Sequence, residues 1–329
     1  MKRTIIFKNK PKIIGVSTVA GPKECNGCIG EHIDVKLNDD MFGEETFEKA
    51  ESKMMYTAIN RCIKNCKINE KNVNAIVAGD LLNQIISATF ASRKFNTGYL
   101  GVYNACASYT EALTIGAILV DGGYMNNVIC ATSSHFSSAE RQYRYPLELG
   151  CTRPPQSQWT VTGAGASMIS NKGRGPKITK ATIGKIVDFG VTDVNNMGSA
   201  MAPAACDTLL THFADLQIQP SEYNLIITGD LGTLGSRILK DLMWEKGYDI
   251  EKQHVDCGEL VYNIDEPEYQ GGSGAGCSSL VFNSYFYEKL INNKYDKILF
   301  LATGALLSSV SSQQGESIPG IAHAVVVES

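Results

Sequence analysis

The chain has little that would take it into a membrane or onto nucleic acid. Its longest apolar stretch, Ile298 to Val310, is interrupted by Thr303, Gly304, Ser308 and Ser309, and is too short to span a bilayer. Met1-Lys2-Arg3 is basic, but Thr4 to Phe7 is too short for the apolar core of a secretion signal, and Lys8, Lys10 and Lys12 follow. The expectation is a soluble chain whose membrane contact, if any, is peripheral. There is no excess of positive charge: 30 Lys and Arg against 34 Asp and Glu leave a net charge of −4, which argues against nucleic acid as the main partner. Cys25-Asn26-Gly27-Cys28 has knuckle spacing, but no second pair stands at matching distance to complete a zinc site. No Lys-Ser/Thr follows the glycines of Gly271–Gly276, so they do not form a P-loop. Histidine is scarce, with five in 329 residues. That scarcity bears directly on any catalytic reading.

What is present is a repeat. Thr57 to Asp80 and Asp207 to Asp230 are both 24 residues long, with Ile59 matching Leu209, Ile63 matching Phe213, Ile68 matching Ile218 and Ile76 matching Ile226. Each reads as an amphipathic helix, a polar turn and a short apolar strand closed by Gly-Asp. Ala105 to Phe136 aligns without gaps to Gly276 to Leu307, placing Cys106 on Cys277, Ser108 on Ser279 and Ala131-Thr132 on Ala302-Thr303. The expectation is two α/β halves, 1–174 and 175–329, joined near Asn171 to Pro176. The strands lack alternation, as strands covered on both faces do. The helices entered at Cys106 and Cys277 are rich in small residues, which suits burial between sheets.

Cys106 enters its helix in Ala105-Cys-Ala-Ser108. A helix N-terminus offers unpaired N–H groups and a positive dipole end, and so favours either a thiolate nucleophile or a bound anion. Ten cysteines without a secretion signal point to reduced thiols in a cytosol-like compartment. The segment Glu140 to Trp159 gathers Arg141, Arg144 and Arg153 with Tyr143, Tyr145 and Trp159. Such a set suits a flat anion, with guanidinium groups for carboxylates and rings for stacking. The alternative is an irregular loop whose arginines pair with Glu140 and Glu148. Ser133, Ser134 and the amides of Gly271, Gly272 and Ser273 are candidate neutral donors. His135, at the end of the strand after the Cys106 helix, is the one histidine placed to approach the centre.

A duplicated α/β chain with Ala-Cys-Ala-Ser at a buried helix start resembles the thiolase superfamily, including ketoacyl-acyl-carrier-protein synthase III. That resemblance implies a five-layered α-β-α-β-α architecture, with Trp159 to Ser167 as a strand-turn-strand and His323 in the last edge element. It also implies a homodimer formed through the N-terminal half. Where the synthases carry catalytic His and Asn, this chain has Gly229-Asp230 and Gly271-Gly272-Ser273. An aspartate there raises the thiol pKa and, ionised, donates nothing to an oxyanion.

Closer strings resemble the SpoVAD family of endospore-forming bacteria: Ala131-Thr-Ser-Ser-His135, Ala139-Glu-Arg-Gln142, Arg153-Pro-Pro-Gln156, Gln158 to Gly165, Thr228-Gly-Asp-Leu-Gly232 and Gln314 to Ala324. This resemblance implies non-catalytic binding of dipicolinic acid, possibly as its calcium chelate, for transport into the spore. It further implies SpoVA membrane proteins as partners and a peripheral place at the spore inner membrane. No cofactor or resident metal is expected. An acyltransferase or condensing enzyme using Cys106, with His135 as base, and a scaffold with a vestigial pocket both stay open.

Overall fold

The computed structural model describes residues 2–144, 146–150, 152–262 and 270–329. Ten strands carry the architecture. The first five are β1 (Lys12–Ala20), β2 (Ala75–Gly79), β3 (Gly98–Gly101), β4 (Asn127–Ser134) and β5 (Gly163–Ser170). The second five are β6 (Lys177–Thr182), β7 (Leu225–Thr228), β8 (His254–Asp256), β9 (Lys297–Ala305) and β10 (Gly320–Glu328).

They lie in the orders β3-β2-β4-β5-β1 and β8-β7-β9-β10-β6, the same path written twice. In each set the first three pair in parallel and the remaining pairs are antiparallel. The two sets meet at a single bridge, Lys12 with Lys177. The duplication legible in the sequence is thus a duplication of topology.

The helices that build the layers and the site are α1 (Phe47–Asn65), α2 (Ile86–Ser92), α3 (Ser108–Asp121), α4 (Phe136–Tyr143), α5 (Met197–Leu216), α6 (Gly232–Glu245), α7 (Cys257–Val261) and α8 (Ala275–Val281). The last continues through a π turn, Phe282–Phe286, to Ile291. Helices α3 and α8 pack between the two sheets, α1 and α2 cover the outer face of the first, and α5, backed by α6, covers the second. The result is the α-β-α-β-α stack. Val128 to Ser134 and Ile298 to Ala305 are buried at every position, because helices cover both faces.

Close approach in the centre depends on small residues. A Cβ on Gly165 would lie 2.4 Å from the Ser279 carbonyl oxygen, so only glycine lets α8 press onto β5. Aromatic residues fill the remaining space. Phe300 stacks on Phe282 with ring centroids 4.8 Å apart, and Tyr109 meets Phe300 edge-on at 5.9 Å.

Two local expectations are corrected. Within the strand-turn-strand expected over Trp159 to Ser167, Gly163-Ala-Gly165 is not the turn but the start of β5, paired residue for residue with β1 and β4. The strand carrying His323 is not an edge: β10 lies between β9 and β6 and bonds to both.

Candidate functional site

Cys106 sits at the mouth of α3, reached through a strained turn. Ala105 has φ +50°, a left-handed conformation that costs a non-glycine residue on the order of 1 kcal/mol. The turn is tied by Ala107 N–H to the Asn104 carbonyl at 3.0 Å, and by the Ser108 hydroxyl, which donates to Ala105 O at 2.8 Å and accepts from Asn104 N–H at 3.0 Å. Opposite it, Gly304 of β9 leaves no room for a side chain: a Cβ there would stand 2.3 Å from Asn104 O. The sheet therefore clamps the turn, and the sulfur is fixed.

The sulfur faces the Asp230 carboxyl, the Ser273 hydroxyl and the Gly274 amide. Its Sγ is 4.0 Å from the Ser273 hydroxyl, and the Asp230 carboxyl lies near enough for its charge to act on the thiol. Asp230 follows β7 and is wholly buried. Its Oδ2 accepts from Gly274 N–H at 2.9 Å and Ser273 Oγ at 3.2 Å, and its Oδ1 accepts from Thr303 Oγ1 at 2.8 Å. The loop carbonyls beside it are held by Gln158, whose Nε2 donates to Asp230 O at 2.6 Å and Gly272 O at 3.0 Å.

Burial, and then the Asp230 charge, pushes the Cys106 thiol well above the ordinary cysteine range. Burial also raises the Asp230 carboxyl to about 7, against the pull of the neighbouring Cys106 thiol and of its hydrogen bonds from Gly274 and Thr303. The positive end of α3 is thus offset by a buried acid, and the sulfur rests as a thiol.

In front of Cys106 and Ser273 is a cavity of about 50 Å³, walled mainly by Leu81, Tyr103, Tyr143, Met197, Met201 and Leu307, with Arg144 at one side. Tyr143 donates to the Leu81 carbonyl, and its hydroxyl is 3.0 Å from that of Tyr103. Both tyrosines also line a hollow that opens over Leu82 to Ile85 and Leu306 to Ser309. The tyrosine pair therefore stands between the sulfur and the outside. Beyond Arg144 lies a second chamber of about 230 Å³, with Phe136, Glu140, Arg153, Trp159 and Asn195 in its wall. There Phe136 and Trp159 are stacked at 3.9 Å and 8°, with the Arg153 guanidinium 5.2 Å from the Trp159 ring.

The residues singled out from the sequence thus fall in three places. Cys106, Ser273 and Arg144 line the inner cavity. Arg144, Arg153 and Trp159 line the outer chamber, where both arginines pair with the buried Glu140, Arg153 at 3.1 Å. The others lie elsewhere. Arg141 points outward to Glu48. The Ser133 hydroxyl donates to Glu51 at 2.9 Å, and that of Ser134 donates to Val161 O at 2.6 Å. Gly272-Ser273 is a short strand paired with Trp159-Thr160, and Gly271 O accepts from Trp159 N–H at 2.9 Å, so these glycines serve backbone pairing. Tyr145 is outside the described residues.

His135 does not approach the sulfur. It caps α4: its Nδ1 accepts from Ser137 N–H at 3.1 Å, which leaves Nε2–H to donate to Asp40 O at 2.9 Å, and burial lowers its pKa. The other histidines are also engaged elsewhere. His32 pairs with Glu288, His212 lies between Thr182 and Tyr223, and His254 contacts Thr228. His323 lies between Asn104 and Gly184 N–H. Burial pulls His212 and His254 down to about 3 and His323 to about 4. No histidine is hydrogen-bonded to Cys106 among the described residues.

Sequence reasoning placed Asp230 opposite the cysteine but did not count it among the site residues, although its match to Asp80 in the repeat marked the position. Tyr103, Met197 and Met201 carried no local signal. They reach the cavity only because α5 and the segment before Cys106 converge in space.

The comparisons bear on this geometry as follows. The family model described as stage V sporulation protein AD matches residues 1–328. Stage V sporulation protein AD of Bacillus subtilis (strain 168) is 41% identical over 327 residues, covering 99% of this chain and 97% of the relative. Among solved structures, 3-oxoacyl-[acyl-carrier-protein] synthase III from Aquifex aeolicus VF5 superposes with a TM-score of 0.59 at 15% identity, covering 97% of this chain and 100% of the other. A variant of Xanthomonas campestris OleA bound with cerulenin gives 0.60 at 14%, covering 99% and 98%. At those identities the two structures speak for the fold alone.

Proposed function

The chain belongs to the stage V sporulation protein AD family and has a role in sporulation; from that footing we propose that its Cys106 cavity binds dipicolinic acid without transforming it. The observation that carries this reading is the partner of the sulfur. Acyl transfer through cysteine needs a thiolate, a base to make it and donors for the oxyanion. Here the sulfur is buried beside the carboxyl of Asp230, its pKa is raised, and every histidine is held elsewhere.

As a binding site the same features suit a flat aromatic diacid. The Arg144 guanidinium, though paired with Glu140, keeps N–H groups beside the cavity for a carboxylate, and the Ser273 hydroxyl supplies a neutral donor. Met197 and Met201 offer soft apolar walls to a ring. The outer chamber, with Arg153 over Trp159, is a second surface for the same planar anion on its way in.

In this reading the protein works at the spore inner membrane with the SpoVA membrane proteins, moving dipicolinate free or as its calcium chelate. No helix among the described residues is long and apolar enough to cross a membrane, and the reading takes the association as peripheral. A homodimer forms through the first half, where β3 is an edge strand with Leu100 43% exposed.

Calorimetric titration with dipicolinate, alone and with calcium, tests the proposal. Saturable heat is expected, reduced by about tenfold or more in affinity for Arg144→Ala. The absence of saturable heat up to high micromolar ligand contradicts it.

One observation favours a second reading, an acyltransferase. The strained Ala105 turn holds the sulfur at a helix N-terminus, the placement a nucleophile needs. Incubation with acyl-CoA followed by intact mass distinguishes the two. An acyl adduct that disappears in Cys106→Ala would establish the enzyme. Loss of neither binding nor transport in Cys106→Ala and Arg144→Ala would point instead to a scaffold.

A further inference from the structure

We infer that ligand binding at the Cys106 cavity takes up a proton, which is then shared between Asp230 and the incoming carboxylate. The inference rests on the binding reading above and adds which ionisation state of the ligand the site accepts. Asp230 lies one layer behind the cavity wall, hydrogen-bonded to the Ser273 hydroxyl and beside the Cys106 thiol, two of the polar groups that line the cavity.

The charged and titratable groups around it are all of the wrong kind to neutralise it. From α3 comes Cys106, from the end of β8 Asp256, from α7 Cys257 and from α8 Cys277, each of them acidic. From β9 and the 272–274 segment come only neutral donors, Thr303, Ser273 and Gly274 N–H. Arg144 reaches the cavity from beyond α4, but its guanidinium is paired with Glu140. Among the described residues the buried carboxyl therefore has hydrogen bonds and no counter-ion.

A carboxylate seated against Cys106 and Ser273 brings a second negative charge within a few ångström of it. Two carboxylates so placed do not both stay ionised; one proton enters and the pair titrates as a unit. The Asp230 pKa of about 7 agrees, since it leaves the group partly ionised near neutrality and able to accept.

The sign follows from linkage. Below about pH 6 Asp230 already holds its proton, none is taken up, and affinity is flat. Above about pH 7 the free site is ionised, and affinity falls by up to about tenfold per pH unit until the complex loses its proton as well. The ligand selected is thus a carboxylic acid whose bound carboxyl forms half of an acid–carboxylate pair, and a neutral amide analogue gains nothing from acidification.

Calorimetric titration of the full chain with dipicolinate at pH 8, in buffers of different ionisation enthalpy, reads the proton directly. The expected slope is about 0.5–1 proton taken up per ligand, with uptake absent and affinity level from pH 6 to 9 in Asp230→Asn. Saturable binding with no uptake in the wild type overturns the inference and leaves the binding reading standing. Uptake that survives in Asp230→Asn assigns the proton to another group and overturns it too. Absence of binding at every pH removes the reading and the inference together.

Discussion

Replacing Glu140 by alanine is expected to cost about 3–5 kcal/mol of stability, more than any other single change of a charged side chain in the region of the site. Glu140 is 5% exposed and accepts from both Arg144 and Arg153. The Arg144 side chain is equally enclosed. Among the described residues, removing the acid leaves that guanidinium buried with only the Val194 carbonyl, 3.4 Å from Nε, as a further acceptor. The desolvation of Arg144 then goes uncompensated, and this produces the large effect; the intact pair adds little net stability of its own. Urea denaturation checks it. Glu140→Gln, which keeps the shape and an acceptor oxygen, should lose less. Arg144→Ala in the Glu140→Ala background should restore part of the loss, a coupling that a double-mutant cycle measures.

Phe300→Ala is expected to cost a similar ~3–5 kcal/mol, by a different cause. Phe300 is fully buried on β9, stacked on Phe282 and met by the edge of Tyr109. Those rings belong to the two central helices, so the cavity left by alanine opens between α3, α8 and the second sheet. The neighbours cannot collapse into it readily. The Tyr109 hydroxyl is held by Ser167 at 2.8 Å and Asn283 at 2.9 Å, which ties α3 to β5 and the α8 extension. Thermal and urea midpoints should both fall. Phe300→Leu, which keeps most of the volume, should lose much less.

The fold was open to reading because its determinants are periodic and repeated. Ile59 and Leu209, or Ala131 and Ala302, occupy equivalent places in two copies of one topology, and a doubled pattern is hard to misread. The unbroken apolar runs at Val128 and Ile298 already implied sheets covered on both faces. The site was less open, because its walls come from segments distant in the chain. Arg141 and Arg144 are neighbours in sequence, yet on α4 and at its end they point to Glu48 and Glu140 respectively. His135 ends the strand that follows the Cys106 helix, as the sequence indicated, but its ring turns to cap α4, a local bond that spacing does not reveal. Met197 and Met201 enter the cavity from α5, which follows a long irregular segment after β6 that carries no periodicity to place it.

The central claim is that the ligand sits against the Cys106 sulfur, and protection from alkylation tests it directly. The raised pKa makes Cys106 slow toward iodoacetamide, so the reaction is followed at pH 8.5 by peptide mass, with the exposed Cys28 as internal reference. Saturating dipicolinate should slow labelling of Cys106 severalfold and leave Cys28 unchanged. Equal labelling of Cys106 with and without dipicolinate, in protein that binds it, would put the ligand elsewhere and contradict the claim.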